Sequence, residues 1–361
     1  MAVSRELVSL IESLIHFRTT ANRPEEIARC VEFMRSFFVG TDLTVEVIEN
    51  SGLPSLVVTK NTKTPKIFLC GHFDVVEADD DAFVPRLDGN RLYGRGAMDM
   101  KSGNAVMMSI MKELADTPHS VGLMLTPDEE VGGFKGVKPL VESGYRSMIA
   151  IIPDGGREPG VIVTKAKGIL WIKIIAEGKS AHGSRPWEGE SAIERLTDAL
   201  DRVRNVFPVP TVESGFWSTS LNIGKIQGGG AVNQVPNLAE ATLDIRYVES
   251  DLPEAVIERI QSVLPTHTRL EVLENEPMVY VDLANPLVQA YQDSIQEITG
   301  QPAGQTVDFG SSDGRFFTPH QIPVILSQPS GANWHGAGEW VDLDSVATYY
   351  DILKSFVIKN G

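Results

Sequence analysis

The sequence predicts an α/β protein with a mostly parallel sheet flanked by helices and a second domain inserted into it. Helix and strand patterns alternate in the first part of the chain and again near its end, which is typical of a parallel, helix-covered sheet. Between these parts the order changes to β-α-β-β-α-β, the order of a ferredoxin-like domain. We therefore expect a main domain of residues 1–167 and 276–361 and an inserted domain of residues 168–275.

The main domain begins with two predicted amphipathic helices. Apolar residues recur at helical spacing over 4–17 and 24–38. Short apolar runs that are typical of strands follow at 44–48, 56–59 and 66–70. A further helix is expected after Asp99, and strand, helix and strand then recur as far as residue 152.

The pattern changes near Gly168. Strands are expected at 169–176, 219–226, 239–247 and 269–273, and helices at 192–206 and 253–264. Helix and strand patterns return from Asn285 onward, so we expect the chain to end in the main domain.

The composition is that of a globular protein and excludes several classes of function. Hydrophobic residues make up 42% of the 361 residues and charged residues 22%. No apolar run reaches the ~18 residues of a membrane span, and the N-terminal segment reads as a surface helix rather than a signal peptide. The two cysteines, Cys30 and Cys70, fit a reducing compartment, so we expect a cytoplasmic protein without membrane contact. The net charge of −16 argues against a nucleic-acid partner.

Five potential metal ligands are each expected where a buried strand ends. Open α/β sheets carry their functional residues at the carboxyl ends of the strands. Two histidines and three carboxylates at such positions indicate a two-metal hydrolase site, and this donor set suits zinc best, with manganese or cobalt as alternatives. The five candidate ligands are His72, Asp99, Glu130, Asp154 and His335.

Two further carboxylates are candidates for supporting roles. Asp74 shares a face with His72 in an extended segment, so it can accept the other ring N–H and fix the tautomer that presents a lone pair to a metal. Glu129 precedes Glu130 at the predicted strand end, where neighbouring side chains point in different directions. One glutamate can then bind a metal while the other acts as general base.

Each ligand is also open to a second interpretation. His72 and Asp74 also fit incidental polar surface. Asp99 has the position of a helix N-cap. The glutamate pair also fits an exposed acidic turn, and Asp154 also fits an Asp-Gly turn. His335 also fits an ordinary loop histidine.

Three motifs together resemble a known family. Residues 71–76 (GHFDVV), residues 94–101 (GRGAMDMK) and the Glu129–Glu130 pair are similar to those of the co-catalytic zinc metallopeptidases, which include acetylornithine deacetylase, succinyl-diaminopimelate desuccinylase, aminoacylase and glutamate carboxypeptidase. The resemblance implies a zinc-exopeptidase-like fold with two Zn²⁺ per chain. It further implies that Asp99 bridges the metals, with His72 and Asp154 at one site and Glu130 and His335 at the other. Members often carry Glu in place of Asp154.

The inserted domain resembles the lid and dimerisation domain of the same family. Residues 178–186 (GKSAHGSRP) contain His182, which by resemblance acts in catalysis by helping to hold the oxyanion, in dimeric members at the partner's site. Asn233 and Arg246 resemble substrate-carboxylate contacts, and Arg246 also fits a surface salt bridge. Gly310 and Ser311 begin a segment similar to a substrate-pocket loop, in which Asp313 also fits a helix cap. A homodimer through the inserted domain is therefore expected.

The expected function is hydrolysis of an amide bond in a small N-acyl amino acid or a short peptide. In this interpretation a hydroxide held by the metals is the nucleophile, and Glu129 is the general acid/base. The alternative is a catalytically silent metal- or peptide-binding protein on the same scaffold.

Overall fold

The computed structural model describes residues 3–211 and 215–361. It contains two compact units. The main unit comprises the residues up to Lys165, Val279–Asp308 and Ser312–Gly361, and the inserted unit comprises Ala166–Met278 and Phe309–Ser311.

The helices and strands of the described residues are numbered here in chain order. The strands are β1 Thr44–Asn50, β2 Leu53–Thr59, β3 Ile67–His72, β4 Arg86–Asp88, β5 Arg91–Tyr93, β6 Val121–Thr126, β7 Ile149–Ile152, β8 Val161–Ala166, β9 Gly168–Glu177, β10 Ser220–Gly228, β11 Leu238–Tyr247, β12 Thr268–Glu276, β13 Val279–Tyr280, β14 Gly304–Asp308, β15 Val324–Leu326, β16 Gly331–Ala332 and β17 Trp340–Asp342. The helices are α1 Arg5–His16, α2 Pro24–Phe37, α3 Ser102–Glu113, α4 Val137–Glu142, α5 Ala192–Val206, α6 Pro253–Val263, α7 Pro286–Thr299 and α8 Leu343–Asn360.

The main unit is built on a mixed sheet whose centre is parallel. The strand order is β1-β2-β6-β3-β7-β15-β8-β13, with β14 beside β8. Strand β3 runs parallel to β6 and β7, and β7 runs parallel to β15, whereas β1 and β2 pair antiparallel at one edge. Every residue of β3, β6 and β7 is buried, as expected for a parallel sheet covered on both faces. The predicted α/β fold with a mostly parallel, helix-flanked sheet is confirmed.

Close packing between β3 and α3 fixes the strand end that carries His72. A Cβ atom on Gly71 would lie 2.3 Å from Asn104 Oδ1 and 2.6 Å from Met100 Cε, so glycine allows the helix to approach the strand closely. The Asn104 amide also donates to the His72 carbonyl oxygen at 2.6 Å. The close packing of α3 against β3 therefore fixes the position of the His72 backbone.

The inserted unit is a four-stranded antiparallel sheet with two helices. The strand order β10-β11-β9-β12 and the chain order β9-α5-β10-β11-α6-β12 are those of a ferredoxin-like domain, as predicted. Apolar residues of both helices and of β9 and β11 form its core. The Ser191 side chain caps α5 by accepting from the Glu194 N–H at 3.3 Å.

The two cysteines are buried and free. Burial raises the pKa of the Cys30 thiol to about 12. Among the described residues, no helix combines the length and apolar character that membrane crossing requires.

Candidate metal centre

Four of the five predicted ligands lie within contact distance of one another in the main unit. His72, Asp99 and Glu130 each offer one ligand atom, and these three atoms all lie within 4.8 Å of one another. His335 Nε2 lies 3.0 Å from Glu130 Oε2 and 3.3 Å from Asp99 Oδ2. His72 Nε2 lies 3.1 Å from the other oxygen of Asp99, Oδ1. The two oxygens of the Asp99 carboxylate therefore face two different histidines.

The fold brings these side chains to one edge of the sheet from distant parts of the sequence. His72 is the last residue of β3, Glu130 lies in a 3₁₀ turn that follows β6, and Asp154 follows β7 by two residues. His335 lies in the loop between β16 and β17, with a φ of 60°. Asp99 lies in the turn before α3, and the peptide bond that follows it is cis.

Asp99 and His335 do not directly follow a buried strand, in contrast to the prediction, and two further interpretations of the sequence were wrong. Glu129 and Glu130 belong to a 3₁₀ turn, Glu129–Val131, and not to an extended strand end, because the chain turns immediately after Asp128. Asp99 is not a helix N-cap, because it precedes Ser102, the first residue of α3, by three positions in non-helical backbone.

The pKa values of ionisable groups in the cluster depart strongly from their ordinary values. Burial disfavours the charged ring of His72, but hydrogen bonds to Asp74 and Asp99 outweigh it and raise its pKa well above the ordinary value. Hydrogen bonds to Asp99 and Glu130 raise the pKa of His335 to about 10. Burial opposes the Asp99 charge, yet its hydrogen bonds to the two histidines lower its pKa.

Asp154 and Glu129 are not among these four contacting ligands, but they interact electrostatically with them, and the pKa values of both are raised. Burial raises the pKa of Asp154 well above its ordinary value, and the nearby Asp99 charge adds to the shift. Burial also raises the pKa of Glu129, although the neighbouring His72 charge acts against it. Four half-buried acidic groups close to one another, Asp99, Glu129, Glu130 and Asp154, favour cations that balance their charge.

The donor set and its spacing fit divalent metal ions. A tetrahedral zinc with bonds of 2.0–2.2 Å has ligand atoms roughly 3.3–3.6 Å apart. The His335–Asp99 contact of 3.3 Å falls at the lower end of that range, and the contacts of 3.0 Å (His335–Glu130) and 3.1 Å (His72–Asp99) are slightly shorter. Imidazole nitrogens and carboxylate oxygens are ligands that zinc accepts in proteins.

Asp74 supports the cluster mainly through backbone hydrogen bonds. Its Oδ1 accepts from the Glu129 N–H at 3.1 Å, and its Oδ2 accepts from the Glu130 N–H at 3.0 Å. His72 Nδ1 lies 3.0 Å from the Asp74 main-chain oxygen and 3.5 Å from its carboxylate. The tautomer of His72 is therefore fixed mostly by a carbonyl group, and the Asp74 carboxylate holds the turn that carries both glutamates.

Sequence reasoning missed the residues that hold the ligand loops. The Glu339 carboxylate accepts from three backbone N–H groups, those of Gly96, Met98 and Asp99, and from the Arg95 guanidinium. The available signal was the position of Glu339 four residues after His335 and of Arg95 four residues before Asp99.

The segment around Asp313 also differs from the prediction. The Ser312 hydroxyl, and not Asp313, caps the short helix Asp313–Phe316 by accepting from the Gly314 N–H at 3.3 Å. Asp313 is buried, and burial raises its pKa to about 7. A Cβ atom on Gly133 would lie 2.2 Å from Asp313 Oδ1, so this glycine lets the chain after Glu130 pack against the carboxyl group.

The other predicted site residues belong to the inserted unit. His182 is exposed, and its Nδ1 lies 2.7 Å from the Ser184 hydroxyl and accepts from the Ser184 N–H at 3.2 Å. The structure brings His182 next to Asn233, whose carbonyl oxygen accepts from the Gly183 N–H at 2.7 Å.

Arg246 and residues 309–311 also belong to the inserted unit. Arg246 Nε donates to Asp244 Oδ1 at 2.8 Å, which matches the salt-bridge interpretation, and its Nη atoms have no partner among the described residues. The Gly310 carbonyl accepts from the Lys167 N–H at 3.0 Å, and Ser311 Oγ is buried without a partner in the described part of the chain.

Comparisons with known proteins agree with this geometry. Residues 68–359 match the model of peptidase family M20/M25/M40. A succinyl-diaminopimelate desuccinylase of Halorhodospira halophila is 27% identical over 359 residues, covering 92% of this chain and 93% of the relative. One from Shewanella piezotolerans is 28% identical over 320 residues, covering 81% and 83%.

Solved structures show the same fold. A tripeptidase from Staphylococcus aureus superposes with a TM-score of 0.81 at 22% identity, covering 99% of this chain and 98% of that one. Human carnosine dipeptidase 1 superposes with a TM-score of 0.72 at 16% identity, covering 98% and 95%. The resemblance inferred from the sequence motifs is thereby confirmed. The chain belongs to peptidase family M20/M25/M40 and is a hydrolase of amide bonds.

Proposed function

We propose that the chain is a two-metal amidohydrolase or exopeptidase that acts on a small N-acyl amino acid or a short peptide. The observation that carries this proposal is the Asp99 carboxylate, whose two oxygens face His72 and His335 separately. Such a carboxylate would suit a role shared between two divalent cations. The other four candidate ligands then divide into two pairs, one for each cation.

We assign His72 and Asp154 to one metal and Glu130 and His335 to the other, with Asp99 shared. Zinc fits the nitrogen and oxygen donors, and manganese or cobalt are alternatives. When bound, two divalent cations polarise an amide carbonyl and lower the pKa of a water molecule towards neutrality.

Glu129 is the proposed general acid/base. The Asp74 carboxylate holds the backbone N–H groups of Glu129 and of its neighbour Glu130. Burial raises the pKa of Glu129, which brings the carboxyl group closer to the range in which it exchanges protons at neutral pH. As a carboxylate it takes one proton from the attacking water, whose oxygen bonds to the carbonyl carbon. It then passes that proton to the amine nitrogen as the C–N bond breaks.

The inserted unit is proposed to contribute substrate contacts. Because His182 Nδ1 accepts from Ser184, the ring proton sits on Nε2, which is then a donor for an oxyanion. The Nη edge of Arg246 suits a substrate carboxylate. Asn233, Gly310 and Ser311 are assigned to the substrate pocket.

We further propose that residues 168–275 form a lid through which two copies pair, and that residues 1–167 and 276–361 form the catalytic domain. The protein is proposed to be cytoplasmic.

No observation on the described residues favours the catalytically silent alternative. A binding protein needs no general base, yet Glu129 is present beside the candidate ligands, and its turn is held by Asp74.

The test compares wild type with Glu129→Ala after loading with Zn²⁺. Elemental mass spectrometry is expected to find about two zinc ions per chain in both proteins. Turnover of N-acyl amino acids and dipeptides is expected to fall by about 10²–10⁴-fold in the variant, the usual contribution of an acid/base group. The matched control is Glu142→Ala, which removes an exposed glutamate at the end of α4. Near-normal kcat in Glu129→Ala, or a metal-free wild type that takes up no zinc, would contradict the proposal.

A further inference from the structure

Glu339 is a buried carboxylate that lies between two ligand-bearing loops. It is 3% exposed, and its ion-pair partner Arg95 is 4% exposed. The Arg95 Nη1 atom donates to Glu339 Oε2 at 2.7 Å. A buried acid with a buried partner is retained at a considerable desolvation cost.

The carboxylate organises the backbone of the Asp99 loop. Its Oε2 also accepts from the Gly96 N–H at 2.9 Å, and its Oε1 accepts from the Met98 N–H at 2.9 Å and the Asp99 N–H at 3.1 Å. These bonds fix the peptide group that carries Asp99. The backbone of Asp99, the proposed bridging residue, is thus held through its own N–H group.

The same pair also ties down the His335 loop. Arg95 Nη2 donates to the Gly336 carbonyl oxygen at 3.0 Å, one residue after His335. The Gly94 N–H donates to the Glu339 carbonyl oxygen at 3.0 Å. Hydrogen bonds from Arg95 and Glu339 therefore connect both loops, and neither of the two side chains is itself a candidate ligand.

We propose that Glu339 is a positioning residue that, with Arg95, sets the distance and orientation of Asp99 relative to His335 before metal binds. The inference rests on the proposed function, because it concerns the metal affinity of the same cluster. Loss of such an outer partner typically lowers metal affinity or activity by 10–100-fold. A residue with only a structural role would lower thermal stability and leave the coordination geometry unchanged.

The key variant is Glu339→Gln. The amide group keeps the shape of the side chain but turns one acceptor oxygen into a donor that faces two donors, and Arg95 loses its counter-charge. The matched control is Asp342→Asn, which removes one negative charge three residues further along, where Asp342 bonds with Asn90 and the Ser345 N–H. Glu339→Asp is a third variant, because it keeps the charge and withdraws the oxygens by one methylene.

The experiment measures Co²⁺ and Zn²⁺ affinity by chelator competition, the visible absorption spectrum of the Co²⁺ form, and the melting temperature of the metal-free proteins. We expect Glu339→Gln to bind metal 10–100-fold more weakly, with an altered Co²⁺ spectrum, and Glu339→Asp to fall between it and wild type. Asp342→Asn is expected to change the melting temperature alone.

Wild-type affinity and spectrum in a folded Glu339→Gln protein would overturn the inference. If Glu339→Gln does not fold, the same result for Glu339→Asp would overturn it. A wild-type protein that binds no metal would instead refute the proposed function, and with it this inference.

Discussion

Loading the metal-free protein with zinc at pH 7 is expected to release protons in a number that the site geometry predicts. Hydrogen bonds to carboxylates keep both histidines charged in the metal-free state, with the pKa of His335 at about 10 and that of His72 well above its ordinary value. Burial raises the pKa of Asp154 as well. A metal binds only the neutral imidazole and the ionised carboxylate. The two histidine side chains should therefore lose about two protons per pair of zinc ions, and any proton that Asp154 holds in the metal-free state adds to that number.

Zinc affinity is expected to depend on pH, because protons and zinc compete for the same side chains. Because the pKa of His335 lies about three units above neutrality, the imidazolium form predominates roughly a thousandfold at pH 7. Zinc affinity should accordingly rise with pH, by about tenfold per pH unit for each proton displaced, and this contribution from His335 should disappear above pH 10.

Isothermal titration in two buffers of different ionisation enthalpy counts the protons. His182→Gln is the control, since His182 lies in the inserted unit and its loss should leave the number unchanged. Release of less than one proton per pair of zinc ions at pH 7 would refute the assignment of both histidines as ligands.

Three other perturbations have defined outcomes. Asp74→Asn places an amide donor against one of the N–H groups of Glu129 and Glu130, so zinc affinity should fall by 10–100-fold in chelator competition, and unchanged affinity would count against the role of Asp74. Gly71→Ala forces a Cβ atom to 2.3 Å from Asn104 Oδ1 and should lower the free energy of unfolding by about 1–3 kcal/mol in urea titrations. Gly230→Ala, where no atom lies within 4 Å of the new Cβ, should have little effect. Ser191→Ala removes the cap of α5 and should cost about 1 kcal/mol without altering zinc content, so a change in zinc content would contradict it.

Much of the fold could be predicted because its elements leave periodic traces in the sequence. The first two helices were expected at 4–17 and 24–38 and occupy Arg5–His16 and Pro24–Phe37. The apolar run that ends at Cys70 became a fully buried strand, Ile67–His72. Because parallel strands end at one edge of the sheet, side chains that follow different strands could be expected to meet.

The rest of the site could not be predicted from such patterns. The ion pair between Arg95 and Glu339 joins positions 244 residues apart, and no periodicity records it. The Glu129–Val131 turn is set by a tertiary contact, the hydrogen bonds from its N–H groups to Asp74, and its sequence alone is compatible with a strand end. The roles of the five ligands and of the residues in the inserted unit stay predictions.

The position of β15 has a consequence for biosynthesis. This strand, from the last part of the chain, lies between β7 and β8 in the sheet. About 170 residues separate Ile152 from Val324, and at 5–20 residues per second a ribosome needs roughly 10–30 s to make them. During that interval the nascent sheet has an open edge at β7, a site for mispairing. Because His335 also follows β15 in the sequence, a chain interrupted before this strand lacks one of the five candidate ligands as well as the strand that covers β7.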